Sequence, residues 1–153
     1  MSIITLAEIE DAEAILALQK RAYQSEAKLY DDWSIPPLTQ SLDSLRAEIL
    51  AGKVLKYRQD EVIIGSVRAS FHDGKCEIGR LIVEPELQGQ GIGSALLAAV
   101  EAMFPQARGF ELFTGSRSEG NIRLYRRHGY EIVATKALTP ALELVFMSKT
   151  KIA

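Results

Sequence analysis

The sequence predicts a mixed α/β fold of the α+β kind, with a largely antiparallel central sheet of six to seven strands flanked by about four helices, in a single domain over residues 1–153. Three observations predict it. Segments whose apolar residues recur at helical spacing are interleaved with short runs rich in β-branched residues. Asp73-Gly74 stands between two of those runs, which signals a hairpin and hence antiparallel neighbours. Gln88-Gly89-Gln90-Gly91-Ile92-Gly93 joins the strand-like Ile78 to Val83 to the strongly helical Ser94 to Phe104.

In chain order, Ile3 to Leu6 is a short strand. Asp11 to Ala22 is a helix with Ile15, Leu16 and Leu18 on its buried side. Tyr23 to Gln40 has no clean period, and Pro36-Pro37 is expected to block a helix there, so this stretch reads as a mobile or substrate-covering loop. From about Ser41, Leu42, Leu45, Ile49 and Leu50 keep helical spacing until Gly52 stops them. Val54 to Arg58, Val62 to His72 and Lys75 to Val83 then form an antiparallel meander. After the glycine turn, Ile92, Leu96, Leu97, Val100 and Phe104 line one side of a helix, and Phe110 to Thr114 is the next strand. A helix from Glu119 to His128 follows, with Ser118 as N-cap and Gly129 as C-cap. Tyr130 to Ala134 and Leu142 to Met147 are the last strands, and an exposed final strand could support a homodimer.

Composition narrows the function classes. A chain of 153 residues buries about 68–70% of its unfolded surface in one core, so no second domain is required. With 47% hydrophobic and 25% charged residues it is ordinary for a globular protein, and a net charge of −2 gives no footprint for nucleic acid. The lone Cys76 excludes an intrachain disulfide and favours a reducing compartment. The N-terminus lacks the pattern of a secretory signal, and the longest apolar run, Ala95 to Val100, is far too short for a membrane span. A cytoplasmic protein without membrane or nucleic-acid partners is expected. His72 and His128 fall outside any ligand pattern, so no metal site is expected.

The glycine turn carries the chemistry. A helix start leaves its first N–H groups without helical partners and presents the positive end of the dipole, which suits phosphate oxygens. Glycines there permit positive φ and close ligand approach, although tight turning or close helix packing accounts for them equally well. The dinucleotide fingerprint needs a glycine where Ser94 stands, and its acidic residue should end a strand, whereas Glu111 begins one. The P-loop fails because no Lys-Ser or Lys-Thr follows. What remains is Q-x-x-G-x-G, on Gln88, Gly91 and Gly93.

This pattern, between an apolar strand and an amphipathic helix, resembles the acetyl-CoA-binding motif of the GNAT superfamily of N-acetyltransferases. Asn121-Ile122-Arg123-Leu124-Tyr125, followed by Gly129 and Tyr130, resembles the family's second signature, and the two occur in the family's order. The resemblance implies a GNAT-like fold and acetyl-CoA as co-substrate, with an amine acceptor. The cofactor would lie on the turn Gln88, Gly89, Gln90, Gly91, Ile92, Gly93 and Ser94, its pyrophosphate on the amides of Gln90 to Ser94, and its pantetheine on Leu81, Ile82, Val83 and Asn121. In the basic cluster Arg123, Arg126 and Arg127, otherwise a solvated helix face, Arg126 or Arg127 could reach a phosphate. The resemblance makes Tyr125 the general acid that protonates the departing sulfur and Glu77 the general base. The amides around Leu81 and Ile82 would polarise the thioester carbonyl. Each residue also has a plain structural reading: Asn121 as a capping residue, Tyr125 as a packed aromatic, Glu77 as an outward strand charge.

Two features remain open at this level. The apolar residues of Lys75 to Val83 change parity between Cys76, Ile78 and Leu81, Val83, which means either a bulge near Gly79-Arg80 or a strand buried on both faces. Tyr30, Asp31, Asp32 and Trp33 combine aromatics with acids and would suit a cationic acceptor, or form a surface loop. Three functions compete: an acetyl-CoA-dependent N-acetyltransferase for a small-molecule or peptide amine, a non-catalytic acyl-CoA-binding regulatory module, and a protein-interaction domain. The first is the favoured reading.

Overall fold

A computed structural model describes residues 2–150, so Met1 and residues 151–153 of the expected 1–153 domain lie outside the described part. The elements are β1 (Ser2–Leu6), α1 (Ala12–Ala22), α2 (Gln24–Tyr30), α3 (Pro36–Thr39), α4 (Leu42–Leu50), β2 (Val54–Gln59), β3 (Val62–His72), β4 (Lys75–Val83), α5 (Ile92–Met103), β5 (Gly109–Gly115), α6 (Glu119–Arg127), β6 (Glu131–Thr139) and β7 (Leu142–Thr150), with short 3-10 turns at Ile9–Asp11 and Pro85–Leu87. They build one seven-stranded sheet in the order β1-β2-β3-β4-β5-β7-β6. Every neighbouring pair is antiparallel except β4 and β5.

The sheet is covered on both faces. On one, α1 and α4 place Ala12, Ile15, Leu45 and Ile49 against Val54 and Ala7. On the other, α5 and α6 pack Leu96, Leu97, Val100 and Tyr125 against Val67, Cys76, Ile78, Phe110, Leu112, Val145 and Met147. The second layer holds most of the core. The helical spacing of Ile92, Leu96, Leu97 and Val100 places all four on the buried side of α5.

The parity change in β4 is a bulge. Arg68 pairs with Gly79 and Ser66 with Ile82, so Val67 alone faces Arg80 and Leu81. Arg80 takes a left-handed φ of 48°, unusual for a side-chain-bearing residue. The extra residue returns Leu81 and Val83 to the face that Cys76 and Ile78 occupy.

Two expectations are corrected. The stretch Tyr23 to Gln40 is not irregular throughout, because it contains α2 and α3. Pro36 and Pro37 open α3 instead of blocking it: in a first turn the missing N–H has no partner to lose and the fixed φ suits the helix. The last strand is not an exposed edge either. β7 returns between β5 and β6, pairing with both, so it has no free edge for a dimer, and the outer strand is β6.

Candidate active site

The glycine turn ends in α5, whose N-cap is Gly91 at φ 83°, after Gly89 at φ 81°. Ala95 N–H reaches Gly91 O at 3.0 Å, closing the first turn of the helix. The N–H groups of Ile92, Gly93 and Ser94 precede that bond, and no side chain caps them. A Cβ on Gly89 or Gly91 would meet nothing within 4 Å, so open space lies over the turn. Gly93 has a different task. A Cβ there would stand 3.3 Å from Leu124 Cδ2, so this glycine lets α5 and α6 pack closely. Glu84, just before the turn, is held by Arg21 at 2.9 Å.

Beside the turn the sheet opens. β4 and β5 pair only over Lys75–Glu77 with Gly109–Glu111, and no rung joins them beyond Glu77. The bulge follows at once on the β4 side. Leu81, Ile82 and Val83 therefore keep β3 as a neighbour but have no strand partner on the β5 side.

Through this opening, groups from the two faces of the sheet meet. Tyr125 belongs to α6, on the α5 face, and is 6% exposed. Tyr23 ends α1 and Glu26 lies in α2, on the opposite face. Burial drives the Tyr125 phenol well above its ordinary pKa, and the nearby Tyr23 hydroxyl and Glu26 carboxylate push it further. The Tyr23 phenol is itself pushed up to about 12 by burial, with Arg80 opposing the shift and Glu26 adding to it. Both phenols are thus protonated at neutral pH. Tyr125 and Asn121, one turn apart, share one face of α6. Asn121 Nδ2 donates to Thr114 Oγ1 at 3.3 Å. Gly129, at φ 92°, ends α6 in a Schellman motif, with Tyr130 N–H on Tyr125 O and Gly129 N–H on Arg126 O, both at 3.0 Å. The Tyr130 ring packs on the Tyr125 ring, 6.1 Å between centroids, and fixes the base of that side chain.

A family model described as the acetyltransferase (GNAT) family matches residues 12–130. The chain belongs to that family. The GNAT resemblance read from the two signatures is therefore shown, and the mixed, mostly antiparallel seven-stranded sheet agrees with solved GNAT structures. A PaiA N-acetyltransferase from Thermoplasma acidophilum, solved with coenzyme A, superposes with a TM-score of 0.84 at 19% identity, covering 99% of each chain. The ribosomal-protein-S18-alanine N-acetyltransferase of Escherichia coli gives 0.81 at 16% identity, over 100% of this chain and 96% of that one. The yncA structure from Salmonella typhimurium, solved with acetyl-CoA, gives 0.75 at 24%, over 100% and 96%. At these identities the likeness speaks to fold. The UPF0157 protein YqkA of Bacillus subtilis is 31% identical over 138 residues, 88% of this chain but 39% of that protein, so the chain spans well under half the length of this relative.

Within the GNAT frame the sequence-predicted residues fall into groups. Gln88 to Ser94 make up the turn, Leu81 to Val83 form the β4 side of the opening, and Asn121, bonded to Thr114 of β5, shares a face of α6 with Tyr125. Glu77 is exposed, on the last rung before β4 and β5 part, opposite Ser70 and Glu111. Arg127 is exposed in the last turn of α6. Of the three expected substrate contacts, Tyr30 is corrected. It is 4% exposed, its hydroxyl shares a hydrogen bond with Ser118 Oγ at 2.8 Å, and it accepts from Arg117 N–H at 3.0 Å, so it has no free face for a substrate. Asp32 accepts from Ser34 N–H and Oγ at 2.9 and 2.7 Å in a surface turn, and Trp33 is 53% exposed. Ser118 holds the N-cap position of α6 but does not cap with its side chain, because its hydroxyl donates to Glu26 Oε2 at 2.7 Å.

Sequence reasoning missed Tyr23, Glu26 and Gln40. Gln40 is the hub of a polar network under the bulge: its Oε1 accepts from Gln19 Nε2 and from Arg80 Nη1, each at 3.0 Å, and its Nε2 donates to Glu48 at 2.8 Å. Arg68 Nη2 donates to Gln19 Oε1 at 2.6 Å, while its Nε lies 2.9 Å from Glu48 Oε2 with the N–H aimed elsewhere. Burial pulls the Arg68 pKa down to about 10, against the opposing pull of Glu48. Among the described residues, no group of three or more metal-ligating side chains forms, and no helix is long and apolar enough to cross a membrane.

Proposed function

We propose that the protein is an acetyl-CoA-dependent N-acetyltransferase that passes the acetyl group directly to a primary amine. The observation that carries the reading is the opening between β4 and β5, with an uncapped helix start beside it and the Tyr125 phenol reaching it from the α6 face. The amides of Gln90 to Ser94 receive the pyrophosphate, with Arg127 in reach of a phosphate. The unpaired backbone of Leu81 to Val83 and the side chain of Asn121 receive the pantetheine arm. The amides around Leu81 and Ile82 polarise the thioester carbonyl as negative charge develops on its oxygen.

The amine enters as an ammonium, since an ordinary lysine-like amine has a pKa of about 10.4. Glu77 takes that proton, directly or through water, and the neutral nitrogen attacks the carbonyl carbon. A C–N bond forms as the C–S bond breaks, Tyr125 gives its proton to the departing sulfur, and the second proton that the nitrogen loses as the amide forms restores the Tyr125 phenol, directly or through water. The Tyr125 phenol is protonated throughout the neutral range, so its O–H is available to hydrogen-bond the departing thiolate and offset its developing charge as the proton is shared. The single reduced Cys76 suits work in the cytoplasm.

Calorimetry with acetyl-CoA and thiol release across a panel of primary amines test the proposal. Binding with amine-dependent release of CoA is expected. Binding without turnover, unaltered in Tyr125→Phe, would make the chain an acyl-CoA-binding module, and no binding at all would remove the donor.

A further inference from the structure

The charges that border the opening on the α1 side are unpaired and of opposite sign. Arg80, at the bulge, has one hydrogen bond, to the neutral amide of Gln40, and among the described residues no carboxylate lies within ion-pair distance of it. The carboxylate of that network, Glu48, is occupied by Arg68 and by Gln40. Glu26 accepts the Ser118 hydroxyl at Oε2, and among the described residues Oε1 has no hydrogen-bond partner and no cation pairs with the carboxylate. Both side chains are half-buried, so each is partly desolvated yet open to a ligand. Gln19, which shares Gln40 with Arg80, lies one helical turn before Tyr23, and Glu26 lies in the turn that follows Tyr23, so the backbone brings Arg80 and Glu26 to the neighbourhood of one residue, on whose hydroxyl they act in opposite senses.

A partly buried charge without a partner loses hydration and recovers it only from a complementary ligand. Two such charges of opposite sign, gathered around one residue but not paired to each other, are complementary to a zwitterion. A guanidinium with free nitrogens favours a carboxylate, which it can hold with two parallel bonds. A carboxylate near the reacting phenol favours an ammonium.

We propose that the acceptor is a free amino acid or a similar small zwitterion, whose carboxylate lies on Arg80 and whose ammonium lies beside Glu26, next to Tyr125. This rests on the acetyl-transfer reading above, with Glu26 holding the ammonium in place and Glu77 receiving its proton through water. Arg80 is then a specificity residue, carried on the bulge and held by Gln40.

The test compares free L-amino acids with their carboxamides, which keep the amine and lose the charge, and with spermidine, rates being corrected for the fraction of free amine. At least one amino acid should be acetylated with kcat/KM about tenfold or more above its own amide, the scale of one charge-assisted hydrogen bond. Arg80→Gln should bring that ratio to about one with acetyl-CoA affinity unchanged, and Arg80→Lys should retain part of it. Should Arg80→Gln fail to fold, the wild-type ratio and the same comparison in Glu26→Gln decide, with a raised KM expected for every amino acid. Amides or spermidine serving as well as acids, a ratio that survives Arg80→Gln, or acetyl-CoA binding with no amino acid acetylated would each overturn the proposal. Failure to bind acetyl-CoA would instead overturn the acetyl-transfer reading.

Discussion

Tyr125 shows how much of a residue's chemistry is set by its neighbours. Its ring is fixed by Tyr130 and by the end of α6, while its hydroxyl has no hydrogen-bond partner among the described residues and looks into the opening. Burial favours the neutral phenol, so the proton is present over the whole neutral range and can be shared with a thiolate as it departs. Tyr125→Phe removes that proton and leaves the packing. It should lower kcat by roughly 10²-fold, the lower edge of what acid catalysis contributes, with acetyl-CoA affinity and thermal midpoint close to wild type. Steady-state kinetics beside calorimetry checks this, and a wild-type kcat would take the role from Tyr125. Glu77 is a less constrained residue, exposed and, among the described residues, without a hydrogen-bond or ion-pair partner. Its claim to be the base rests on its place at the last rung before the opening, and Glu26, on the other rim, is the carboxylate that the Tyr125 phenol senses.

At the scale of elements, the turn before α5 divides its glycines between two tasks. Gly89 and Gly91 hold positive φ under open space, and Gly93 makes room for Leu124. Gly91→Val places a β-branched residue in the left-handed region, at a cost of roughly 1–3 kcal/mol, and sets a side chain where a ligand would approach. Acetyl-CoA affinity should fall by at least about tenfold in a protein that remains folded, and calorimetry showing unchanged affinity would count against the cradle. The motif was legible in the sequence because its requirements are local: backbone angles, an uncapped helix start, a strand before it. The bulge was legible for the same reason, since the slip from Cys76 and Ile78 to Leu81 and Val83 is written in alternation. α2 was not, being seven residues long, without a capping side chain, and held by burial of Ala27 and Tyr30. The place of β7 between β5 and β6 depends on long-range pairing that no local pattern records. Glu26 was invisible for a related reason, because it meets Ser118 across 92 residues of sequence.

For the whole molecule, the decisive property is that two helical layers communicate through the sheet where it parts, and that they must be held in register to do so. Tyr30 does part of that work. It closes α2, packs on Gly115 at the end of β5, bonds Ser118 and Arg117 N–H at the entry to α6, and lies under the Arg117 guanidinium at 5.6 Å. A methyl group on Gly115 would collide with the Tyr30 ring and hydroxyl, which are stiff and enclosed, so Gly115→Ala must expel Tyr30. Overpacking of this kind costs typically about 1–3 kcal/mol, which a lowered denaturation midpoint would register. The same displacement pulls α2, and Glu26 with it, away from α6, while the turn at Gly89 to Ser94 is carried by α5 and stays in place. Gly115→Ala should therefore weaken acceptor use, seen as a raised KM for the amine, and leave acetyl-CoA affinity within about twofold of wild type, well under the tenfold that a single lost charged contact produces. Tyr30→Phe separates the two contributions: the ring still fits against Gly115, only the hydroxyl bonds are lost, and the midpoint should fall by an amount worth about 1 kcal/mol. If Gly115→Ala left both the midpoint and the amine KM at wild-type values, α2 would not depend on Tyr30, and the two layers would have to be aligned by the α1, α3 and α4 network around Gln40 alone.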